Sequence, residues 1–262
     1  MPALVTQKDL RECRHLPFCY LCGRTFEGKA RITKDHVLPR AIFAKIHRDN
    51  PLILPAHQGC NENQSGDDEK VSQLLSALHG KYIDPRRLRV EFEVARLNHQ
   101  GSPTIVLKGV RLKRIVGRWL RGFHAALYRE HLPYETKNYI HLPFPSARLQ
   151  NGKILTDPVL PQQPLFVGMI KRDVIAQAVD KIECYSGRCL YECAWHIADT
   201  GQWLCVFALR IYDWENLGDH ERFPKQGCAG YYSPRGGRPP LGTRGTSLEF
   251  PLAANSDLDP FN

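Results

Sequence analysis

Two short pairs of metal-binding residue types bracket the early chain. Cys19 and Cys22 are separated by two residues, and so are His57 and Cys60. Four nitrogen and sulfur donors in such pairs suffice to close a tetrahedral shell around one zinc ion. A Cys3His shell leaves no open position, so zinc held this way is structural. It would also clip the base of the 34-residue stretch between the pairs, residues 23 to 56. A segment of that size buries little core, and bound metal would supply folding free energy. The competing reading is a redox C-x2-C pair, with His57 and Cys60 unrelated to it. No strand-then-helix pattern sets Cys19 at a helix start, which counts against that alternative.

The rest of the composition bounds the class. With 262 residues, 42% hydrophobic and 24% charged, the chain is not wholly disordered and suffices for one large domain or two small ones. No apolar run approaches the roughly eighteen residues a membrane helix needs. The start, Met1 to Val5, lacks the basic and apolar run of a signal peptide. Nine cysteines without an export signal point to free thiols, a cytoplasmic location and no membrane partner. Cys184, Cys189, Cys193 and Cys205 are spaced too loosely for a second knuckle and are expected to be small buried side chains.

The pattern predicts an α+β fold. A short helix is expected over 69–79, and alternation around Val90, Phe92 and Val94 predicts a strand within 87–98. The strongest helix is expected over 110–130. Leu112, Ile115, Trp119, Phe123 and Leu127 form its apolar stripe, and Arg111, Arg114, Arg118 and Arg121 form a basic one. Gly117 and Gly122 either weaken this helix or admit a close neighbour. Residues 189–213 read as a hairpin closing near Asp199-Thr200-Gly201. Three regions result: a zinc-clipped module over 1–80, a basic helix and β-rich region over 81–223, and a Pro/Gly-rich irregular tail over 224–262.

Between and beside the ligand pairs stand Asp35-His36, Asn50, Asn61 and Asn63, none of which is needed to fold a zinc clip. Singly, each has an ordinary use in a turn, a core or a loop. Together, C19-x2-C22, D35-H36-V37-L38-P39-R40, N50-P51-L52 and H57-x2-C60-N61-E62-N63 resemble the HNH nuclease family of the ββα-metal fold. The likeness covers residues 18 to about 70. Asn61 stands where the family's last histidine is commoner, as in an HNN variant. His57 replaces the first cysteine of the second pair, and Gln64 falls on the family's lysine.

The resemblance implies a metal-dependent endonuclease acting on DNA. His36 would be the general base, since an ordinary imidazole pKa of about 6.5 lies near operating pH. Asn50 would brace the loop carrying His36 through its side chain. Asp35 and Asn61 would be oxygen ligands of one Mg2+ or similar divalent ion, with Asn63 a second candidate. Adjacent residues of an extended strand point to opposite sides, so a bend is expected between Asp35 and His36. Alternatively, the module binds nucleic acid with weak or no catalysis, or is an adaptor for protein partners.

The net charge of +9 favours a polyanionic partner. Residues 81–131 carry a surplus of eight positive charges. Arg111, Arg114, Arg118 and Arg121 are therefore expected to contact phosphates of double-stranded DNA without reading sequence. The C-terminal region is a candidate surface for a protein partner or a second copy.

Overall fold

The computed structural model describes residues 3–28, 30–63, 65–78, 89, 91–95, 104–108, 112–132, 137–141, 146–150, 153–157, 180–197, 201–211, 226–233 and 246–247. The architecture is mixed α+β. A two-residue strand β1 (Ala3–Leu4) leads into α1 (Gln7–Glu12). That helix starts in a capping box, where the Thr6 side chain takes the Asp9 amide and the Asp9 carboxylate takes the Thr6 amide. Strands β2 (Ile32–His36) and β3 (Ile53–His57) pair antiparallel, with Ile32 opposite His57 and His36 opposite Ile53. Helix α2 (Gln58–Glu62) follows β3 directly, and α3 (Ser65–Leu78) follows α2.

Two further hairpins are β4 (Glu91–Ala95) with β5 (Thr104–Lys108), and β7 (Ser146–Gln150) with β8 (Lys153–Asp157). Helix α4 (Leu112–Tyr128) stands between β5 and β6 (Lys137–His141) in chain order. The largest sheet adds β9 (Asp180–Cys184), β10 (Cys189–Ile197), β11 (Trp203–Ile211), β12 (Gln226–Ser233) and β13 (Thr246–Ser247). Its order is β1-β9-β10-β11-β12-β6, with β13 on the end of β10. The expected hairpin over 189–213 is present as β10–β11, in register from Cys189 opposite Ile211 to Ile197 opposite Trp203.

The region expected to be an irregular tail is corrected here. Gln226–Ser233 is a sheet strand between β11 and β6. The Pro/Gly richness that suggested a tail is densest from residue 234 onward; residues 226–233 hold Gly227 and Gly230 but also two adjacent tyrosines, and Tyr232 is fully buried. Both expected region boundaries, near 80 and near 223, lie outside the described residues.

One hydrophobic core joins the first eighty residues, α4 and the large sheet. Leu10, Tyr20, Val37 and Leu54 from the first eighty residues share it with Trp119 and Phe123 of α4 and with Tyr191 and Phe207 of the large sheet. Phe123 stacks on Tyr191 at 4.4 Å between ring centroids. On its other side α4 touches the β2 end, where a Cβ on Gly122 would come within 2.5 Å of Val37. Gly122 thus serves the close approach that its residue type allows. No helix among the described residues is long and apolar enough to cross a membrane.

Candidate metal centre and the hairpin it closes

The first ligand pair sits in a tight turn. The Cys19 amide donates to the Arg24 carbonyl at 2.9 Å, and the Gly23 amide to the Cys19 carbonyl at 2.8 Å. Gly23 has φ +76°, and a Cβ there would lie 2.7 Å from the His131 ring. Conformation and space both require glycine at this position. The second pair is set by the junction of β3 and α2. His57 ends the strand, and Cys60 lies one helical turn on.

The ligand atoms of Cys19, Cys22, His57 and Cys60 all lie within 4.8 Å of one another. The His57 amide donates to the Cys19 sulfur at 3.3 Å, and Cys22 Sγ is 3.4 Å from His57 Nδ1. Phe26 packs edge-on against the His57 ring. These four residues could hold a metal ion such as zinc. Burial raises the Cys60 thiol, and the neighbouring Cys19 and Cys22 sulfurs push the same way, to about 12. Three thiols so close oppose each other's ionisation, and a divalent cation among them would reverse that effect. The soft donor set fits zinc.

Strand β2 runs straight through the candidate catalytic dipeptide. The expected bend between Asp35 and His36 is not there: both residues belong to the regular ladder with β3, so they project to opposite faces. Asp35 is 5% exposed and accepts a 2.5 Å hydrogen bond from the Tyr20 hydroxyl. Burial raises its carboxyl pKa, against the Tyr20 bond and the Arg118 charge. Asn61 projects toward the same face, since its Nδ2 donates at 3.3 Å to the hydroxyl of Thr33, two residues before Asp35. Asp35 is nonetheless enclosed and engaged, so the two do not form an open pair of hard oxygen donors. The expected Mg2+ site at Asp35 and Asn61 does not fit the chain as it is held.

His36 occupies the other face, half-buried. Burial first, then the Arg40 and Arg14 guanidiniums, lower its pKa to about 4. Arg40 lies in the D-H-x-x-P-R run and was legible as a neighbour; Arg14 comes from the turn after α1, and no spacing signal linked it to His36. Asn50 has φ +51°, a conformation asparagine tolerates better than most residues. Its bracing role was expected of the side chain. The bond found is on the main chain, where its carbonyl accepts the Tyr185 amide at 2.9 Å.

The basic stripe of α4 divides. Arg118 is 2% exposed and turns inward to a part-buried ion pair with Asp68 of α3, so its expected role as a phosphate contact is corrected. A helix covered on several sides, by α3, β2 and the large sheet, turns part of its basic stripe inward. Arg114 is exposed, 3.5 Å from Asp67, and donates to the Asn63 carbonyl at 3.1 Å. Arg121 is half-buried. Arg111 and Gln64 lie outside the described residues. Cys184, Cys189, Cys193 and Cys205 are all buried free thiols, as expected of small core side chains. No protein-family model matches the chain, and no curated protein or solved structure matches it.

Proposed function

We propose that the chain hydrolyses phosphodiester bonds of DNA, with His36 as general base, in a ββα-metal module clipped by one structural zinc at Cys19, Cys22, His57 and Cys60. The observation that carries this reading is the placement of His36 at the end of a strand whose hairpin closes on a Cys3His cluster, where burial and the charges of Arg40 and Arg14 lower its pKa. The order β2, β3, α2 supports it as well, being two antiparallel strands followed at once by a helix.

His36 is unprotonated at neutral pH and can accept a proton. Alone, a group with a pKa of about 4 is a weak base. A phosphodiester drawn to Arg14 and Arg40 would offset their charge and raise the proton affinity of His36 in the complex. The base would thus strengthen when substrate arrives. Water then attacks phosphorus and its proton passes to the imidazole; the bond from phosphorus to the 3′ oxygen breaks, and that oxygen takes a proton from solvent water to leave as a hydroxyl. Binding without cleavage is the second reading, favoured by the enclosure of Asp35.

The test is a nicking assay on supercoiled DNA with zinc-loaded protein, with and without Mg2+. His36→Ala should keep its fold and DNA affinity and lose about 100-fold or more in cleavage rate. Full activity in that variant would remove His36 from the reaction. Binding without cleavage by the wild type in either condition would establish the second reading.

A further inference from the structure

The β9–β10 hairpin belongs to the large sheet, yet its turn is spent on the loop between β2 and β3. The turn comprises Tyr185, Ser186, Gly187 and Arg188. Three successive residues lie in the left-handed region, Tyr185 at φ +53°, Ser186 at +53° and Gly187 at +83°. Glycine takes this conformation freely, whereas a bulky aromatic residue rarely does. An outlier of this kind persists only where its surroundings hold it, and such outliers cluster at functional sites.

The surroundings of Tyr185 are specific. It is fully buried. Its amide, the first after the last strand pair, donates to the Asn50 carbonyl at 2.9 Å. Its hydroxyl donates to the Leu38 carbonyl at 2.8 Å. Its ring stacks on Phe43 with centroids 4.0 Å apart and planes 20° apart. Leu38 is two residues past His36, Asn50 is three before Ile53, and Phe43 lies between. One residue therefore grips both ends and the middle of the segment joining the two strands. The same segment carries Arg40. At the base of the turn, Cys184 and Cys189 face each other across the hairpin, and the Arg188 amide donates to the Tyr185 carbonyl at 3.2 Å.

We infer that Tyr185 is a positioning residue for the hydrolytic site: its hydroxyl and amide fix the 37–52 segment, and with it Arg40 relative to His36. This inference rests on the reading of His36 as the base. It assigns the large sheet a task at the site that neither the zinc clip nor the hairpin performs alone. A misplacement of about 1 Å can cost about 100-fold in rate, so one hydroxyl on the Leu38 carbonyl is enough to matter.

Tyr185→Phe keeps the stack and the main-chain bond and removes only the hydroxyl. In the full, zinc-loaded chain, zinc content and KM for a DNA duplex should stay close to wild type, and the melting temperature should fall by no more than the few degrees that one lost buried hydrogen bond accounts for. The value of kcat should fall about tenfold or more. Hydrogen exchange at the Phe43 and His47 amides, which bond within the segment, should accelerate about tenfold. Unchanged exchange would overturn the inference, and so would accelerated exchange with kcat unchanged. A wild-type protein that cuts no DNA would overturn the nuclease reading; exchange then decides by itself whether Tyr185 holds the segment. Should Tyr185→Phe not fold, Phe43→Leu removes the ring contact by which Tyr185 holds the middle of the segment; its melting temperature falls with the lost core volume, and faster exchange at the His47 amide with a lower kcat is the result expected, unchanged exchange the result that overturns the inference.

Discussion

Asp35 and His36 are neighbours in the chain that face different surroundings. Strand alternation sends the carboxylate to Tyr20 in the interior and the imidazole to the side that Arg14 and Arg40 approach. The identity of both residues as candidates was legible in the sequence. Their orientation was not, because it depends on whether the strand runs straight, and that is decided by pairing with residues 53–57. The cysteine and histidine pairs were legible down to the residue, since their spacing has few uses besides a metal. Tyr185 was not legible at all: its partners at 38, 43 and 50 are distant in sequence, and nothing in Tyr-Ser-Gly-Arg announces a grip on another segment. His124, near the end of α4, gives a test at this scale. It is 2% exposed, near the Tyr232 hydroxyl at 3.3 Å and Glu130 at 3.4 Å. Burial lowers its pKa despite Glu130. The unfolded chain thus takes up a proton, from about pH 6.5 downward, that the folded chain refuses, and stability falls with pH. The melting temperature of the wild type should drop more steeply between pH 7 and 5 than that of His124→Gln. Parallel curves would show that His124 is not the group responsible.

Helix α4 carries the clearest contrast between pattern and packing. Its existence and its apolar stripe followed from periodicity, and the buried Ile115, Trp119 and Phe123 agree. What periodicity does not report is how many sides of a helix will be covered. Here α3, the β2 end and the large sheet all contact it, and Arg118 goes inward to Asp68. Arg118 itself is buried, so a carboxylate in its place would be an uncompensated interior charge, a loss of about 3–5 kcal/mol. Arg118→Glu would set a carboxylate against Asp68 and near Asp35, so it should unfold or destabilise the protein by at least that much in urea titration. Arg114→Glu, at an exposed pair, should change stability by about 1 kcal/mol or less. Similar midpoints for the two variants would contradict the inward position of Arg118.

The molecule as a whole is less divisible than its sequence suggests. A zinc-clipped module over residues 1–80 was the natural expectation, because the motifs end there. Yet the core is shared, with Val37 against Gly122, Leu38 and Phe43 against Tyr185, and Asp68 against Arg118. A peptide of residues 1–80 should therefore bind zinc without folding cooperatively, showing no sharp thermal transition by circular dichroism at one equivalent of zinc. A cooperative melt would show that the metal alone suffices.

Strand β1 pairs in parallel with β9, Ala3 beside Lys181 and Leu4 beside Ile182. On the ribosome, Ala3 and Leu4 must wait until Lys181 and Ile182 have been made before this pairing can form. At about 5–20 residues per second the delay is on the order of ten to forty seconds. Throughout it Leu38 and Phe43 lack Tyr185, which contacts both in the finished fold. Newly made chains thus pass through a long exposed interval, and slow translation or scarce zinc during synthesis would cost yield even where the finished protein is stable.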